Sequence, residues 1–367
     1  MEMKEAGDQI MFTRGNPAVE ALPIKELSDC AASVFEKEGK VLFQYGHYSG
    51  YAPLREWIAD YYGADYEQVL IGNGSMEFFS FGSSVLLDEG DAVFLEYPSY
   101  DRAVKAMKRA GADVVGIPLE EDGVDIDAFE KQLERKRPKL FYTVADFQNP
   151  TGITTSFEKR KKIAELAEKY GFYIIEDGPY RPLRYYGEDV PSYKELLPER
   201  VIFISSFSKT VSPGMRVGFM IGPKDIMPKF HKWSEDTYIH PSLVTEGIVY
   251  EYCRRGFFEP NIEKLKKLYR PRLDGILHAL ETHMEKSVSW IKPQGGFFVS
   301  LNLPDNVDGN ALQNSSRDFG FVVARGNGFF VDGKGDRFIR LPFCQMEPAE
   351  AEEGIKRLAS AVRSFSS

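Results

Sequence analysis

One lysine stands where a reactive amine could be made. Lys209 follows a short apolar run, Val201-Ile202-Phe203-Ile204, and a small polar loop, Ser205-Ser206-Phe207-Ser208. Such a run predicts a buried strand of a parallel sheet. A lysine held at the end of a buried strand loses proton affinity through desolvation or a neighbouring cation. A neutral amine of that kind can form a Schiff base with a carbonyl cofactor. Arg216 lies seven residues on, ahead of a second apolar run, 217–221. No Gly-x-x-x-x-Gly precedes Lys209, so the stretch is not a phosphate-binding P-loop.

Other strand ends carry polar groups too. Gly72-Asn73-Gly74 closes the run 69–71 just before a helix that begins near Ser75. Asn149-Pro150-Thr151-Gly152 follows the run 140–144, and Asp177 follows 172–175, with Pro179-Tyr180 just after. Taken alone, Asn-Pro-x-Gly is a common turn, and an acid at a strand end is a solvated loop residue or a helix cap.

The elements around these groups give them a common direction. Runs 69–71, 92–95, 113–117, 140–144, 172–175 and 201–204 read as strands, with helices over 76–87, 99–110, 125–136 and 156–170 between them. The alternation predicts an α/β fold whose large domain holds a mostly parallel sheet of the seven-stranded type, flanked by helices with right-handed crossovers. Ligands in such sheets sit at the carboxyl ends of the strands, where these loops lie. A short extended start, Ile10-Met11-Phe12, precedes helices near 24–37 and 54–62, the second with Pro53 at its start. After about residue 240 the pattern changes: helices over 243–254 and 261–285, then 297–301, a helix over 311–319, 321–324, 337–341 and a helix over 348–365. These predict a smaller α/β domain. The division expected is 41–260 for a large cofactor-binding domain, and 1–40 with 261–367 for the small one. Residues 364–367 are expected to fray.

Composition narrows the classes. The chain has 367 residues, 43% of them hydrophobic and 28% charged, enough for two domains and a sizeable core. The net charge of -9, from 55 acidic and 46 basic residues, argues against a nucleic-acid surface. Cys30, Cys253 and Cys344 show neither metal-ligand spacing nor a disulfide framework. No apolar run approaches the roughly 18–20 residues of a membrane span, and residues 1–9 do not read as a signal peptide. A cytoplasmic protein without membrane or nucleic-acid partners is expected.

In order, Gln148-Asn149-Pro150-Thr151-Gly152, Asp177-x-x-Tyr180, Ser206-x-x-Lys209 and Pro213-Gly214-x-Arg216-x-Gly218 form a set. The set resembles the fold-type I aminotransferases of the class I/II superfamily, which use pyridoxal 5'-phosphate. The resemblance runs from Gly15-Asn16-Pro17 to Arg340-Leu341. Residues 146–186 look most like the branch of 2-aminoadipate, kynurenine and aromatic aminotransferases. That branch also holds domains of bacterial regulators with an N-terminal DNA-binding module, for which residues before Phe12 leave no room.

The resemblance implies roles. Lys209 carries the cofactor and moves the proton. Asp177 is the carboxylate that keeps the ring nitrogen protonated. Asn149 and Tyr180 tune the phenolic oxygen. Gly74, Ser75, Met76, Ser206 and Arg216 take the phosphate. Tyr100 stacks on the ring. Arg340, with Asn149, grips the substrate α-carboxylate through a guanidinium fork. Tyr45 reaches the phosphate of a neighbouring subunit, which implies a homodimer. Gly178 stands where the branch often has a second aspartate. The implied reaction is ping-pong transfer of an amino group from an L-α-amino acid to a 2-oxo acid. The alternatives are a lyase or decarboxylase on the same fold, or a cofactor-binding regulatory protein with little turnover. Arg14, Asn16, His47, Tyr48, Phe329 and Phe330 are candidates for the side-chain pocket.

Overall fold

A computed structural model describes residues 9–366. In chain order its strands are β1 (Ile10–Phe12), β2 (Val69–Gly72), β3 (Ala92–Tyr97), β4 (Asp113–Glu120), β5 (Gly123–Val124), β6 (Pro138–Thr143) and β7 (Tyr173–Asp177). Then come β8 (Val201–Ser206), β9 (Gly218–Ile221), β10 (Ser289–Trp290), β11 (Phe298–Asn302), β12 (Phe321–Val323) and β13 (Phe338–Pro342).

The main sheet has the order β2-β9-β8-β7-β6-β3-β4-β5. Strands β4, β3, β6, β7 and β8 pair in parallel, and β9 runs antiparallel to both β8 and β2. The mostly parallel sheet is therefore present, extended by the two-residue β5 that hairpins onto β4. Strand β8 is buried at every position and β7 at all but its first, because helices cover both faces. The chain leaves β3 to one side for β4 and returns on the other side as β6. This reversal opens a crevice at the strands' carboxyl ends.

Local chemistry sets the element ends. The helix Ile126–Arg135 is capped by Asp125, which accepts from the Ala128 N–H. The helix Phe157–Tyr170 stops at Gly171, whose φ of 80° admits the left-handed turn into β7.

The C-terminal part has its own antiparallel sheet, β10-β11-β13, and β1 pairs in parallel with β12. The long helices Phe258–His283 and Pro348–Ser364 pack together over it. Elements not foreseen from sequence include the helix Met227–Tyr238, the single turn Tyr193–Leu196 and the two-residue strands β5 and β10. Of the residues expected to fray, Ser366 bridges to Val307, and Ser367 lies outside the described residues.

Candidate active site

Lys209 follows β8, and its Nζ donates to the carbonyl of Gly15 at 2.8 Å. Burial above all holds its proton affinity below that of an ordinary lysine, and the charges of Arg340 and Arg216 act in the same direction. The rings of Phe297 and Tyr180 lie 5.7 and 5.8 Å from the amine.

Asp177 ends β7 and is only 4% exposed. Its Oδ2 accepts from the Tyr142 hydroxyl at 2.8 Å, while Oδ1 is buried without a partner among the described residues. Burial pushes its carboxyl up to about 7, against the pull of Tyr142 and the Lys209 charge. A buried carboxylate oxygen without a donor is costly and calls for an explanation. Here it lines a small cavity shared with Ser75, Tyr100, Asn149, Tyr180, Ser206 and Lys209.

A tight cradle adjoins that cavity. The helix Met76–Leu86 begins after Ser75; the Glu77 and Phe78 N–H groups donate to the Gly74 and Ser75 carbonyls (both 3.1 Å), which leaves those of Ser75 and Met76 for an incoming anion. Gly74 has a φ of 103°, and a Cβ there would strike the Arg216 guanidinium. A Cβ on Gly218 would strike the backbone of Gly74 and Ser75. Two glycines thus bring a cation and a helix start together. Arg216 donates from Nη2 to the Asn73 carbonyl at 3.0 Å and remains exposed. The Ser206 hydroxyl lies 2.8 Å from that of Ser208 and accepts from the Ser208 N–H at 3.0 Å.

Arg340, on β13, is 8% exposed. Its Nη1 donates to Asn149 Oδ1 at 2.9 Å, its Nη2 to the Thr13 carbonyl at 2.7 Å, and its Nε is buried without a partner among the described residues. The guanidinium lies 4.6 and 4.8 Å from the ring centres of Phe298 and Phe329.

Sequence reasoning missed the residues that hold these groups. Glu96, at the end of β3, accepts from Thr143 Oγ1 (2.6 Å), the Val144 N–H (3.1 Å) and Gln148 Nε2 (3.0 Å). Gln148 Oε1 in turn accepts from the N–H (2.8 Å) and hydroxyl (2.6 Å) of Thr151, tying the loop around Asn149 to β3. Behind it, the buried Asp146 takes Arg160 (2.8 Å), Arg181 (3.0 Å) and Arg184 (3.0 Å). The available signal was the acid within Val93-Phe94-Leu95-Glu96, since a charge in an apolar run must find partners.

The structure brings Lys209, Asp177, Tyr180, Asn149, Tyr100, Ser75 and Ser206 around one cavity, with Gly74, Met76 and Arg216 at its cradle end. Arg340 joins Lys209, Tyr100, Asn149 and Tyr180 in a contiguous cleft of about 790 Å³. Tyr45 stands apart in this chain: it is 76% exposed, its ring edge-on to His240 at 5.9 Å. Of the pocket candidates, Arg14, Asn16 and Phe329 line the cleft. The others do not. His47 lies tilted against Tyr48, ring centres 4.0 Å apart, and lines a separate groove with Val34 and Tyr250, and Phe330 packs edge-on to Tyr97 at 4.8 Å. The glycine-broken loop of His47 and Tyr48 turns back over the helix Leu243–Arg254, a path invisible in local sequence.

Residues 8–358 match the family model described as aminotransferase class I and II. The chain is a class I and II aminotransferase. The 2-aminoadipate transaminase of Thermus thermophilus is 34% identical to it, covering 96% of this chain and 90% of that protein. Aromatic-amino-acid aminotransferase 1 of Thermococcus litoralis is 32% identical, over 99% and 90%. Among solved structures, the α-aminoadipate aminotransferase LysN of Thermus thermophilus, complexed with N-(5'-phosphopyridoxyl)-L-leucine, superposes with a TM-score of 0.93. It is 33% identical to this aminotransferase, with 98% of this chain and 93% of that one covered.

Proposed function

We propose that this aminotransferase moves the amino group of an L-α-amino acid to a 2-oxo acid by a ping-pong route, with pyridoxal 5'-phosphate as its cofactor. The residues fit that group. The unpartnered Oδ1 of Asp177 offers an acceptor for a protonated ring nitrogen, and the glycine-lined cradle with Arg216 offers donors and charge for a phosphate. When bound, the cofactor supplies an electron-accepting ring that lowers the cost of breaking the bond to the Cα hydrogen.

The chain's own residues do the rest. Lys209 would hold the cofactor and, once displaced by the substrate amine, take the Cα proton at Nζ and return it on the same face. Its lowered proton affinity favours the neutral amine that a base requires. Arg340 would pair the substrate α-carboxylate through its fork and so orient Cα. Tyr180 and Asn149 would bond the phenolic oxygen, and Tyr100 would cover the ring face. Ser75, Met76, Gly74 and Ser206 would receive the phosphate beside Arg216.

The assembly proposed is a homodimer in which Tyr45 reaches the partner's phosphate. Its exposure supports this, with Val41, Phe43 and Ile239 also 51–67% exposed. Residues 41–260 would form the cofactor-binding domain. Among the described residues no helix is long and apolar enough to cross a membrane, and the three cysteines are unpaired. A cytoplasmic setting is consistent with both.

The single observation that carries the reading is the pairing of a buried, unpartnered Asp177 oxygen with the half-buried Lys209 amine in one cavity. The test is a half-reaction screen. Each amino acid is mixed with holoenzyme in the absence of acceptor. Stoichiometric transfer that a 2-oxo acid reverses supports transamination. Repeated turnover without acceptor, releasing ammonia, pyruvate or carbon dioxide, establishes the lyase or decarboxylase instead. A medium-sized donor, aromatic or 2-aminoadipate-like, with 2-oxoglutarate as acceptor, is the first choice for the screen.

A further inference from the structure

We propose that Glu246 is a positioning residue: it seats the loop 44–51 so that Tyr45 is aimed at the phosphate site of the partner subunit. The inference rests on the shared-site reading of the dimer and names the group that would hold Tyr45 in place.

The first support is a row of contacts between the loop and one helix start. The Tyr45 ring lies edge-on to His240 at 5.9 Å. A Cβ on Gly46 would strike the Leu243 side chain. The Tyr51 N–H donates to Glu246 Oε2 at 2.5 Å. His240, Leu243 and Glu246 follow one another at intervals of three. Leu243 and Glu246 share the first turn of the helix Leu243–Arg254, and that spacing puts them on one face. The loop therefore lies along the start of this helix, with Tyr45 exposed at its outer end.

The second support is that one carboxyl oxygen seats two successive loop residues. Gly50 has a φ of 99°, and a Cβ there would lie 2.8 Å from the same Oε2 and 2.7 Å from Ile71 Cβ. Only glycine lets the loop pass this close. Glu246 is buried, and its Oε1 has no partner among the described residues. Burial pushes its carboxyl up to about 8, against the Tyr51 N–H and the Arg55 charge, with Glu77 adding to the rise. Burying such a group is costly. An apolar side chain would fill the space without that cost, but it could not hold the Tyr51 N–H.

The third support is the frame in which the loop is held. On its other side the Ser234 hydroxyl donates to the Tyr48 carbonyl at 2.9 Å, and the Ile71 N–H donates to the Ser49 carbonyl at 3.0 Å. Ile71 belongs to β2, which ends at Gly72 just before the cradle. The loop is thus fixed to the sheet by Ile71, to the helix Met227–Tyr238 by Ser234, and to the helix Leu243–Arg254 by Glu246. The last of these sets the distance between the loop and the helix start that Tyr45 and Gly46 lie against. A shift of about 1 Å there would carry Tyr45 out of hydrogen-bond range of a phosphate oxygen.

The test uses mixed dimers of the holoenzyme in which one subunit carries Lys209→Ala, so that borohydride fixes cofactor only at the other site. The dimers are dialysed against falling cofactor concentrations, and the cofactor fixed to the remaining Lys209 gives the dissociation constant of that site. Glu246→Ala is placed either in the Lys209→Ala subunit, whose Tyr45 would reach the reporting site, or in the reporting subunit itself. Both dimers contain the same two substitutions, so a general loss of stability weighs on them alike. The expected dissociation constant rises roughly three- to tenfold in the first arrangement and moves by less than about twofold in the second. Glu246→Gln keeps an oxygen for the Tyr51 N–H and should restore wild-type retention. Tyr45→Phe added to the Glu246→Ala subunit should cost less than Tyr45→Phe alone, because the two act through one contact. If Glu246→Ala subunits fail to pair, Gly50→Ala, which crowds the same carboxyl, takes their place in both arrangements. Equal loss in the two arrangements, or loss in neither, overturns the inference. The shared site still stands if Tyr45→Phe in the first arrangement weakens retention. A monomer, or a Tyr45→Phe without effect in that arrangement, overturns the shared site and this inference with it.

Discussion

The Tyr142 hydroxyl donates to one oxygen of Asp177 at 2.8 Å and leaves the other oxygen buried with no partner among the described residues. This hydrogen bond favours the ionised carboxylate, against a burial that pushes it up to about 7. Tyr142→Phe removes the favouring contact, so Asp177 should ionise at a higher pH. The acidic limb of the kcat/KM profile should move upward by about one pH unit, from a hydrogen bond to a charged group worth roughly 1.5–3 kcal/mol, partly offset by solvent. An unmoved limb would remove Tyr142 from the account.

The same burial has a cost for the cofactor-free chain. Asp177 and Glu96 are pushed up to about 7, and Glu246 to about 8, by desolvation. Each then binds its proton more tightly folded than unfolded. The stability this confers is full below the ordinary carboxylate range and is lost as pH rises through the folded values, with a slope of at most about 1.4 kcal/mol per pH unit per group. Cofactor-free Asp177→Asn should therefore melt higher than wild type at about pH 8 and gain nothing at about pH 4, while amino transfer is abolished. Thermal unfolding at the two pH values decides it.

Borohydride reduction of the holoenzyme, followed by peptide mapping, should place the covalent label on Lys209. Lys209→Ala should lower amino transfer by roughly a thousandfold or more, since positioning and proton transfer are lost together. A label on any other lysine would sink the assignment.

Gly218→Ala tests the cradle. The new Cβ would strike backbone atoms of Gly74 and Ser75, which cannot swing aside as a side chain can. The helix start must shift, and cofactor retention should fall by roughly tenfold or more, or about 1.4 kcal/mol. Equilibrium dialysis of cofactor against wild type and variant measures this directly. Retention equal to wild type would mean the phosphate sits elsewhere.

Tyr45→Phe addresses the shared site. The holoenzyme should sediment as a dimer. Loss of the hydroxyl should weaken cofactor retention by ~1.5–3 kcal/mol, the value of one hydrogen bond to a charged group. A fully active monomer would exclude the proposal.

The sheet was legible because its strands are continuous apolar runs broken by turn residues, and the strand-end loops follow from that. Tyr142 was not legible as a site residue. In a strand buried on both faces, period two does not say which face meets a ligand, and Tyr142 reads like Phe141 beside it. Glu96 was visible as an odd charge, but its partners come from β6 and the loop beyond, distant in sequence. The helix Met227–Tyr238 hid for another reason. Its buried positions Met227, Phe230 and Ser234 keep helical spacing, yet Pro228 and a polar remainder mute the pattern. His47 and Tyr48 lie away from this chain's own cleft, and a glycine-broken loop carries no directional signal that would have shown it.

The clasp of Thr13 and Gly15 on Arg340 and Lys209 also sets an order of assembly. Strand β1 lies beside β12, and the Thr13–Arg340 contact joins residues 327 positions apart. Contacts of such separation close late, because loop entropy is paid before they reward it. On a ribosome the main sheet, complete by Ile221, could form while the cleft still lacked a wall. The first strand to be synthesised must wait for nearly the last one before the enzyme can hold a substrate.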